Sequence, residues 1–241
     1  MTVSFIIPLH NEEKNCRPGI NRIVNFAKQN NLKYEIIPVD DRSTDETAKV
    51  LKEISDKNRN VKPIFRKDDG QEKGNTMGKA LVLGSKKAKG QFVIWTMGDL
   101  ADSTKTYKDI IDKLNEGFDL VFGSRYMPGG SRGNLDFLKA YLSSSGTRLA
   151  RILFRIPVHD ITNAFRGFKK NIFSKIKLEE TGFSISPEFA IKAHLAGFRL
   201  GEVPTTYTNR VAGISNFKLF KMTKSYLLLY FSLYFKKQFT T

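Results

Sequence analysis

Cysteine is nearly absent from this sequence, since Cys16 is the only one among 241 residues. A single thiol excludes an intrachain disulfide and any metal cluster that needs several cysteine ligands. We therefore expect a reducing, cytoplasmic setting. Residues 1–5 lead directly into an apolar stretch, without a charged leader ahead of a long apolar core. The sequence therefore predicts no signal peptide.

Two glycine-rich phosphate-binding signatures are also missing. No G-x-G-x-x-G segment follows the first predicted strand, and the chain contains no G-x-x-x-x-G-K-[ST] segment. Such loops hold the phosphates of a dinucleotide, ATP or GTP against backbone N–H groups. Their absence disfavours a simple dinucleotide-dependent dehydrogenase and a P-loop enzyme.

Acidic residues are scarce in the second half of the chain. Residues 1–120 contain 21 Lys and Arg against 18 Asp and Glu, whereas residues 121–241 contain 19 against 6, so the second half holds most of the net charge of +16. This asymmetry favours an anionic partner: nucleic acid, an acidic membrane surface or a phosphorylated substrate. A solvated basic surface is the alternative. Because the basic residues are not interleaved with a nucleic-acid-binding motif, we predict no nucleic-acid partner.

Short apolar runs alternate with segments of helical periodicity along the chain. Strands are predicted at residues 3–8, 34–40, 61–66, 92–98, 120–123 and 199–204, and helices at residues 18–30, 43–58, 75–88, 104–116, 137–154 and 187–196. The alternation predicts one α/β domain with a mostly parallel sheet flanked by helices. Pro63 places the third strand at an edge, because proline cannot donate to a ladder. Ser43 and Glu46 form the pattern of a capping box, and residues 160–168 are expected to be irregular.

Carboxylates follow three of the predicted strands. Glu12 comes after the first strand, Asp40 and Asp41 after the second, and Asp99 after the run at 92–98. Chemistry in open α/β sheets gathers beyond the carboxyl ends of strands. Oxygen acceptors at these positions suit ribose hydroxyls, nucleobase N–H groups or a hard cation. Helix caps and solvated loop acids are the alternative interpretation.

Several short segments, taken in order, carry a resemblance to a known family. They are residues 8–12 (PLHNE), 39–47 (VDDRSTDET), 98–100 (GDL), 123–126 (GSRY), 160–168 (DITNAFRGF), 201–204 (GEVP) and 209–215 (NRVAGIS). These segments resemble the motifs of the family-2 inverting glycosyltransferases with the GT-A fold. The later ones are similar to dolichyl-phosphate mannose synthases and bacterial polyprenyl-phosphate glycosyltransferases. The resemblance extends over residues 3–217.

The resemblance implies roles for the residues that match its motifs. The expected binding residues for the nucleotide sugar are Pro8, Glu12, Asp40, Asp41, Ser124 and Arg210. The expected catalytic residues are Asp99, Arg125, Arg166 and Glu188. Asp99 matches the last position of the D-x-D motif and is the expected ligand of Mg²⁺ or Mn²⁺. Alternatively, Arg166 and Glu188 form an internal ion pair and Arg210 is a surface charge.

The implied activity is transfer of a sugar from a nucleotide-sugar donor to a polyprenyl phosphate, with inversion. An acceptor phosphate is already an anionic nucleophile, so catalysis can rest on positioning and on neutralising the diphosphate that departs. If the acceptor is a saccharide hydroxyl instead, a carboxylate must take its proton, and Asp160 or Glu188 is the candidate. A non-catalytic nucleotide-sugar-binding homologue is the third interpretation.

The sequence departs from the family pattern at four positions. Met97 stands at the first D of D-x-D, and Ala101 replaces a further polar residue on the metal side. A thioether does not suit Mg²⁺ or Mn²⁺, so both changes count against the metal. Arg42 stands where glycine is usual, and Asn216 stands where lysine is usual.

Residues 226–235 form an almost unbroken apolar run flanked by lysines at 221, 224, 236 and 237. About 20 residues are needed to span a bilayer as a helix, so this run predicts no membrane span. We divide the chain into a glycosyltransferase domain at 1–217 and a basic, aromatic, amphipathic helix at 218–241. That helix is expected to lie on an acidic membrane, at the inner, cytoplasmic face of the cell membrane. Packing in the core and an oligomer contact are the alternatives.

Overall fold

The structure, a computed structural model, describes residues 2–67, 76–98, 103–208 and 219–238. Within these residues, the strands of one sheet are β1 Thr2–Leu9, β2 Lys33–Asp41, β3 Ile64–Arg66, β4 Phe92–Trp95, β5 Leu120–Ser124, β6 Arg166–Lys169 and β7 Leu200–Pro204. The helices are α1 Glu13–Gln29, α2 Thr47–Lys57, α3 Met77–Lys87, α4 Thr104–Asn115, α5 Phe137–Phe154, α6 Lys170–Phe173, α7 Ile185–Leu195 and α8 Leu219–Gln238.

The strands lie in the order β3-β2-β1-β4-β6-β5-β7. All neighbouring pairs are parallel except those of β6, which runs antiparallel to both β4 and β5. The predicted α/β class with a mostly parallel sheet is therefore confirmed. The edge position of β3 is confirmed as well.

Alternating side chains of the central strands pack into two apolar cores, one on each face of the sheet. Ile6 and Trp95 belong to the first core, which also contains Phe168 and Phe189. Phe5 and Ile94 belong to the second core, with Tyr107 among others. Because both faces are covered, the strands are apolar along nearly their whole length, which explains the runs seen in the sequence.

Two expected element starts are wrong. Helix α1 begins at Glu13 and has Pro18 inside it, because the N–H groups of Glu12 and Glu13 donate to Thr47 Oγ1 and Asp45 Oδ2. The capping box is absent: α2 begins at Thr47 without a side-chain cap from Glu46. The Ser43 hydroxyl accepts instead from the N–H of Asn11, at 2.9 Å. Contacts between the two loops therefore override the local pattern.

The expectation of irregular chain at 160–168 is wrong in its last part. Strand β6 begins at Arg166 and lies between β4 and β5, with Trp95 and Phe122 as the register partners of Arg166. A four-residue strand that starts with a buried arginine has neither alternation nor an apolar run to signal it.

Helix α8 packs one side against α5. The ring of Phe154 lies 6.4 Å from that of Tyr230 and 6.3 Å from that of Tyr234, centroid to centroid. Tyr226 and Leu229 are buried beside them. In the part of the chain that the structure describes, no helix is both long enough and apolar enough to cross a membrane. The outer side of α8 is exposed, so its expected place on a membrane stays a prediction.

Candidate active site

The carboxyl ends of β1, β2 and β4 meet at one edge of the sheet. Pro8 pairs with Val39 and Leu9 with Asp40, while β4 runs along the other side of β1. A Cβ built on Gly98 would lie 2.3 Å from Leu9 Cδ2. The chain leaving β4 therefore passes closely against the end of β1, where a larger residue would displace the side chain of Leu9. It leads to Asp99, which lies outside the described residues, so the roles assigned to Asp99 stay predictions.

The buried carboxylate of Asp41 is held by three side chains at this edge. It accepts hydrogen bonds from Thr76 Oγ1 at 2.6 Å and from Arg42 Nε at 3.4 Å, and it also contacts Arg66 Nη1. Arg42 donates from Nη2 to Thr76 Oγ1 at 2.7 Å. Two guanidinium groups thus surround one carboxylate, so this part of the edge is locally basic rather than acidic. Arg42 adopts a φ of 62°, the left-handed conformation that favours the glycine usual at this position.

The other predicted donor-side residues join the loops that follow β1 and β2. Asp40 Oδ1 accepts from the N–H of Ser43 at 3.2 Å and closes the turn after β2. Glu12 Oε2 accepts from Asn15 Nδ2 at 2.6 Å. Nδ1 of His10 donates to the carbonyl of Asp41 at 2.8 Å, which assigns the proton to that nitrogen. The structure therefore places Pro8, Asp40 and Asp41 at one edge of the sheet and Glu12 in the loop that follows β1. Their roles in binding the nucleotide sugar stay predictions.

A second cluster lies where β5 ends. Arg125 donates to the fully buried carboxylate of Asp160 through Nε at 2.7 Å and Nη2 at 3.0 Å, and to Thr162 Oγ1 at 3.1 Å. Burial alone would lower the pKa of Arg125, but the charge and hydrogen bonds of Asp160 outweigh it and raise that pKa above its ordinary value. Ser124 is also fully buried, and its hydroxyl accepts from the N–H of Met127 at 3.2 Å.

Arg166 holds the backbone around the second cluster. Its side chain is fully buried, with Nη1 donating to the carbonyl of Ser186 at 2.7 Å and Nη2 to that of Ile161 at 3.2 Å. Its guanidinium lies 4.8 Å from the ring centroid of Phe122. Burial lowers the pKa of Arg166, and the negative charge of Asp160 partly opposes this effect.

Glu188 lies in the first turn of α7, as predicted, and is almost completely buried. Its carboxylate accepts from the N–H groups of Glu179 and Glu180, each at 2.9 Å, and from Lys192 Nζ at 2.6 Å. The alternative of an ion pair between Arg166 and Glu188 is therefore not what the structure shows. Its predicted catalytic role is not tested by these contacts.

Two tyrosines of α8 lie close to the second cluster. Tyr226 and Tyr230 both approach Gly146 of α5, and the methyl group of Thr162 lies near the same glycine. Burial raises the pKa of Tyr226, although the charges of Arg125 and Arg166 oppose the rise. The hydroxyl of Tyr230 is buried without a hydrogen-bond partner among the described residues. The sequence indicated the apolar character of this segment but not its contact with the cluster.

The described residues do not form a metal site. Among them, no three His, Cys, Asp or Glu side chains are grouped so that they could hold a metal ion. Met97, half-buried beside Gly98, offers only a thioether, which suits soft metals rather than Mg²⁺ or Mn²⁺. The expected metal therefore depends on Asp99. Arg210 also lies outside the described residues.

Sequence reasoning missed two residues, Arg66 and Thr76, and one pairing, that of Asp160 with Arg125. Arg66 is the last residue of β3, so its position at a strand end was the available signal. Thr76 is adjacent to the start of α3 and had no signal in the sequence. Asp160 was considered only as a possible base, because its partner is 35 residues away.

Three comparisons describe what the chain is similar to. The profile described as "Glycosyl transferase family 2" matches residues 4–177. Dolichol-phosphate mannosyltransferase of Pyrococcus furiosus is 33% identical over 221 residues, which are 90% of this chain and 60% of that protein. Polyprenol monophosphomannose synthase of Mycolicibacterium smegmatis is 27% identical over 214 residues, which are 87% of this chain and 78% of that protein. The chain thus spans about 60% of the length of the first relative.

Solved structures extend the likeness to the fold. Glucosyl-3-phosphoglycerate synthase of Mycobacterium tuberculosis, in complex with Mn²⁺ and UDP-glucose, superposes with a TM-score of 0.72 at 16% identity. The superposition covers 96% of this chain and 78% of that one. At this identity the likeness shows a shared fold.

Proposed function

The chain belongs to glycosyl transferase family 2 and has the GT-A-type fold expected of that family, and we propose that it transfers a sugar from a nucleotide-sugar donor to a polyprenyl phosphate. The names of the relatives from Pyrococcus furiosus and Mycolicibacterium smegmatis support this acceptor. The donor side is assigned to the edge formed by β1, β2 and β4, with Pro8, Glu12, Asp40 and Asp41.

The observation that carries the choice of acceptor is that both candidate bases are already fully engaged. Asp160 accepts from the N–H, Nε and Nη2 of Arg125, from the Thr162 hydroxyl and from the N–H of Asn163. Glu188 accepts from two backbone N–H groups and from Lys192. A hydroxyl acceptor needs a carboxylate oxygen that is available to take a proton. A phosphate acceptor needs none, because its oxygen is already anionic.

In the proposed reaction, an acceptor phosphate oxygen attacks the anomeric carbon of the donor sugar from the face opposite the nucleotide. The new carbon–oxygen bond forms as the bond to the diphosphate breaks, so the configuration inverts and a nucleoside diphosphate leaves. Arg125 is always charged, and the ion pair with Asp160 fixes the plane of its guanidinium. We assign it the positioning of phosphate near the second cluster through Nη1, because Nε and Nη2 already donate to Asp160 and Thr162.

We propose that the transfer uses a divalent cation. The structural neighbour from Mycobacterium tuberculosis holds Mn²⁺ with UDP-glucose. A cation of this kind would neutralise charge on the departing diphosphate. Asp99 is the residue that would hold it. The acceptor places the reaction at a membrane, so we propose a peripheral protein at its inner, cytoplasmic face.

The test is a matched acceptor screen. Undecaprenyl phosphate and undecaprenol share the same chain and differ only in the phosphate, so each is incubated with a panel of GDP- and UDP-sugars, with Mn²⁺ or with EDTA. We expect nucleoside diphosphate and a lipid-linked sugar with the phosphate acceptor alone. Turnover with undecaprenol or with an oligosaccharide would contradict the proposal and favour a hydroxyl acceptor.

The remaining alternative is a non-catalytic nucleotide-sugar-binding homologue. Met97 and Ala101 favour it, because they remove polar groups from the expected metal side. Donor binding by calorimetry, with no turnover for any acceptor under any metal, would replace the proposed activity with this one.

A further inference from the structure

The carboxylate of Asp41 has little hydrogen-bonding capacity left for a ligand. Its side chain is 7% exposed, and both of its oxygens already accept hydrogen bonds. Oδ1 accepts from Arg42 Nε at 3.4 Å and from Arg66 Nη1, and Oδ2 accepts from Thr76 Oγ1 at 2.6 Å. An ionised carboxylate offers about four acceptor positions, two on each oxygen. Three of these positions are therefore filled, and the one that remains is on Oδ2.

Arg42 is the residue that separates this arrangement from the family pattern. Glycine is usual at this position, and glycine has no side chain that could donate to Oδ1. The backbone of Arg42 has a φ of 62°, a conformation that favours glycine over any residue with a Cβ. Its guanidinium is nevertheless fixed, since Nη2 donates to Thr76 Oγ1 at 2.7 Å and only 13% of the side chain is exposed. An unfavourable backbone that holds a fixed side chain on a binding residue indicates a functional role.

Nucleobases differ in the donors and acceptors that they present on the edge used for base pairing. Uracil and thymine present one N–H, at N3, between two carbonyl oxygens. Guanine presents two adjacent donors, N1–H and N2–H, which suit the two oxygens of one carboxylate. Cytosine and adenine present an amino group beside a ring nitrogen with a lone pair, which a carboxylate repels. A carboxylate can therefore distinguish these bases by the number of N–H groups that it is able to accept.

Uracil and thymine match the single open position of Asp41. Their N3–H can donate to Oδ2, and the positive charges of Arg42 and Arg66 favour the carbonyl oxygens beside it. Guanine would have to place its second donor at Oδ1, where both guanidinium groups already donate. That donor would leave water without gaining a partner in the protein, and a buried unpaired donor weakens binding about 5- to 150-fold.

We propose that Arg42 sets the nucleobase preference of this chain. Together with Arg66 and Thr76, it limits Asp41 to one incoming N–H, so the donor is a uracil or thymine nucleotide sugar and guanine is rejected. The inference rests on the proposed function, because it takes Asp41 to be a residue that contacts the nucleobase. It is independent of the acceptor and of the transfer step.

The experiment measures binding of nucleoside diphosphates to the full chain by calorimetry, with Mn²⁺ present. The probes are UDP, dTDP, CDP, ADP and GDP, so neither the sugar nor the acceptor has to be known. We expect UDP or dTDP to bind at least about tenfold more tightly than GDP. The tighter of these two names the base. Binding of GDP, CDP or ADP as tight as that of the better pyrimidine would overturn the proposal, and so would the failure of all five to bind.

The variant Arg42→Gly tests the side chain itself. It opens a second position on Asp41, at Oδ1, so the affinity for GDP relative to UDP should rise at least about fivefold over wild type. The matched control is Arg155→Gly. Arg155 is an exposed arginine with a φ of 56° at the end of α5, so this substitution relieves a similar backbone conformation far along the chain from Asp41. The control should keep the wild-type ratio of the two affinities.

Circular dichroism establishes that both variants are folded. An unchanged ratio in folded Arg42→Gly would overturn the role of Arg42. Equal changes in both variants would also overturn it, because the effect would then belong to the backbone conformation.

Failure of this inference and failure of the proposed function give different results. Transfer from a GDP-sugar, but from no uracil or thymine nucleotide sugar, to undecaprenyl phosphate would keep the proposed function and overturn the base preference. Selective binding of UDP or dTDP without transfer to any acceptor would keep the base preference and overturn the transferase.

Discussion

The ion pair between Arg125 and Asp160 makes the sharpest prediction about stability. Asp160→Ala removes a fully buried carboxylate that accepts from Arg125 Nε at 2.7 Å and Nη2 at 3.0 Å. Arg125 then stays buried without its counter-charge, and Arg166 loses the negative charge that partly opposes its burial. Removing one partner of a buried pair costs about 3–5 kcal/mol. We expect a loss of that size in the free energy of unfolding, measured with urea.

The matched control is an ion pair at the surface. Lys108 and Asp112 are joined at 2.5 Å on α4, with side chains 60% and 51% exposed. Asp112→Ala should cost far less than Asp160→Ala, because water screens this exposed pair. The double variant Arg125→Met with Asp160→Leu should be more stable than Asp160→Ala alone, because no charge is left unpaired.

An Asp160→Ala variant that loses no more stability than Asp112→Ala would contradict the burial of this ion pair. That result would mean that water reaches Arg125 or that the pair does not form. A double variant less stable than Asp160→Ala would refute the argument about the unpaired charge, although not the burial of the pair.

Three further predictions concern single residues. Burial raises the pKa of Cys16 to about 11, so only about a thousandth of this thiol is ionised near pH 8. A thiol reagent should therefore leave the folded protein unmodified and should label one site per chain when denaturant is present. Gly78→Ala should lower the free energy of unfolding by about 1–3 kcal/mol, because its Cβ would lie 2.7 Å from the carbonyl oxygen of Glu180. Gly146→Ala should raise it by about 0.5–1 kcal/mol, because the nearest described neighbour of its Cβ is 3.7 Å away. Urea unfolding measures both changes. Burial, then the charge of Glu188, raises the pKa of Glu180, so its ionised form opposes folding as pH rises through the unfolded and then the folded pKa. Glu180→Gln should therefore gain stability relative to wild type as the pH rises above the ordinary pKa of a glutamate, and a stability difference that does not change with pH would contradict this prediction.

The sequence predicted those parts of the site that follow from strand direction. Asp40 and Asp41 end one parallel strand, and Pro8 is the last residue but one of its neighbour. Parallel strands bring their carboxyl ends to one edge, so this convergence needed no knowledge of packing. The position of Glu188 in the first turn of α7 was predictable for a similar reason, since a carboxylate favours the helix N-terminus.

The parts that were missed depend on contacts between distant segments. Ser43 stands where the sequence pattern predicts a helix cap, but its hydroxyl accepts a hydrogen bond from the N–H of Asn11, which lies in another loop. Arg166 starts a strand that only its position between β4 and β5 makes stable. Likewise, the sequence of α5 does not indicate which of its apolar residues are exposed, and Ile152 is 77% exposed in the structure.

The reversed direction of β6 has a consequence for how this domain can diversify. Residues 125–165 leave the sheet at the end of β5 and return to it at the start of β6, and the two departure points are tied by the N–H of Gly123 donating to the carbonyl of Phe165 at 3.0 Å. A segment whose ends are fastened together can change in length and composition without moving the strands on either side. This segment carries α5 and Asp160, whereas β1, β2 and β4 lie elsewhere in the sheet. Exchanging residues 125–165 between relatives should therefore exchange acceptor preference as one module while the donor edge is inherited unchanged.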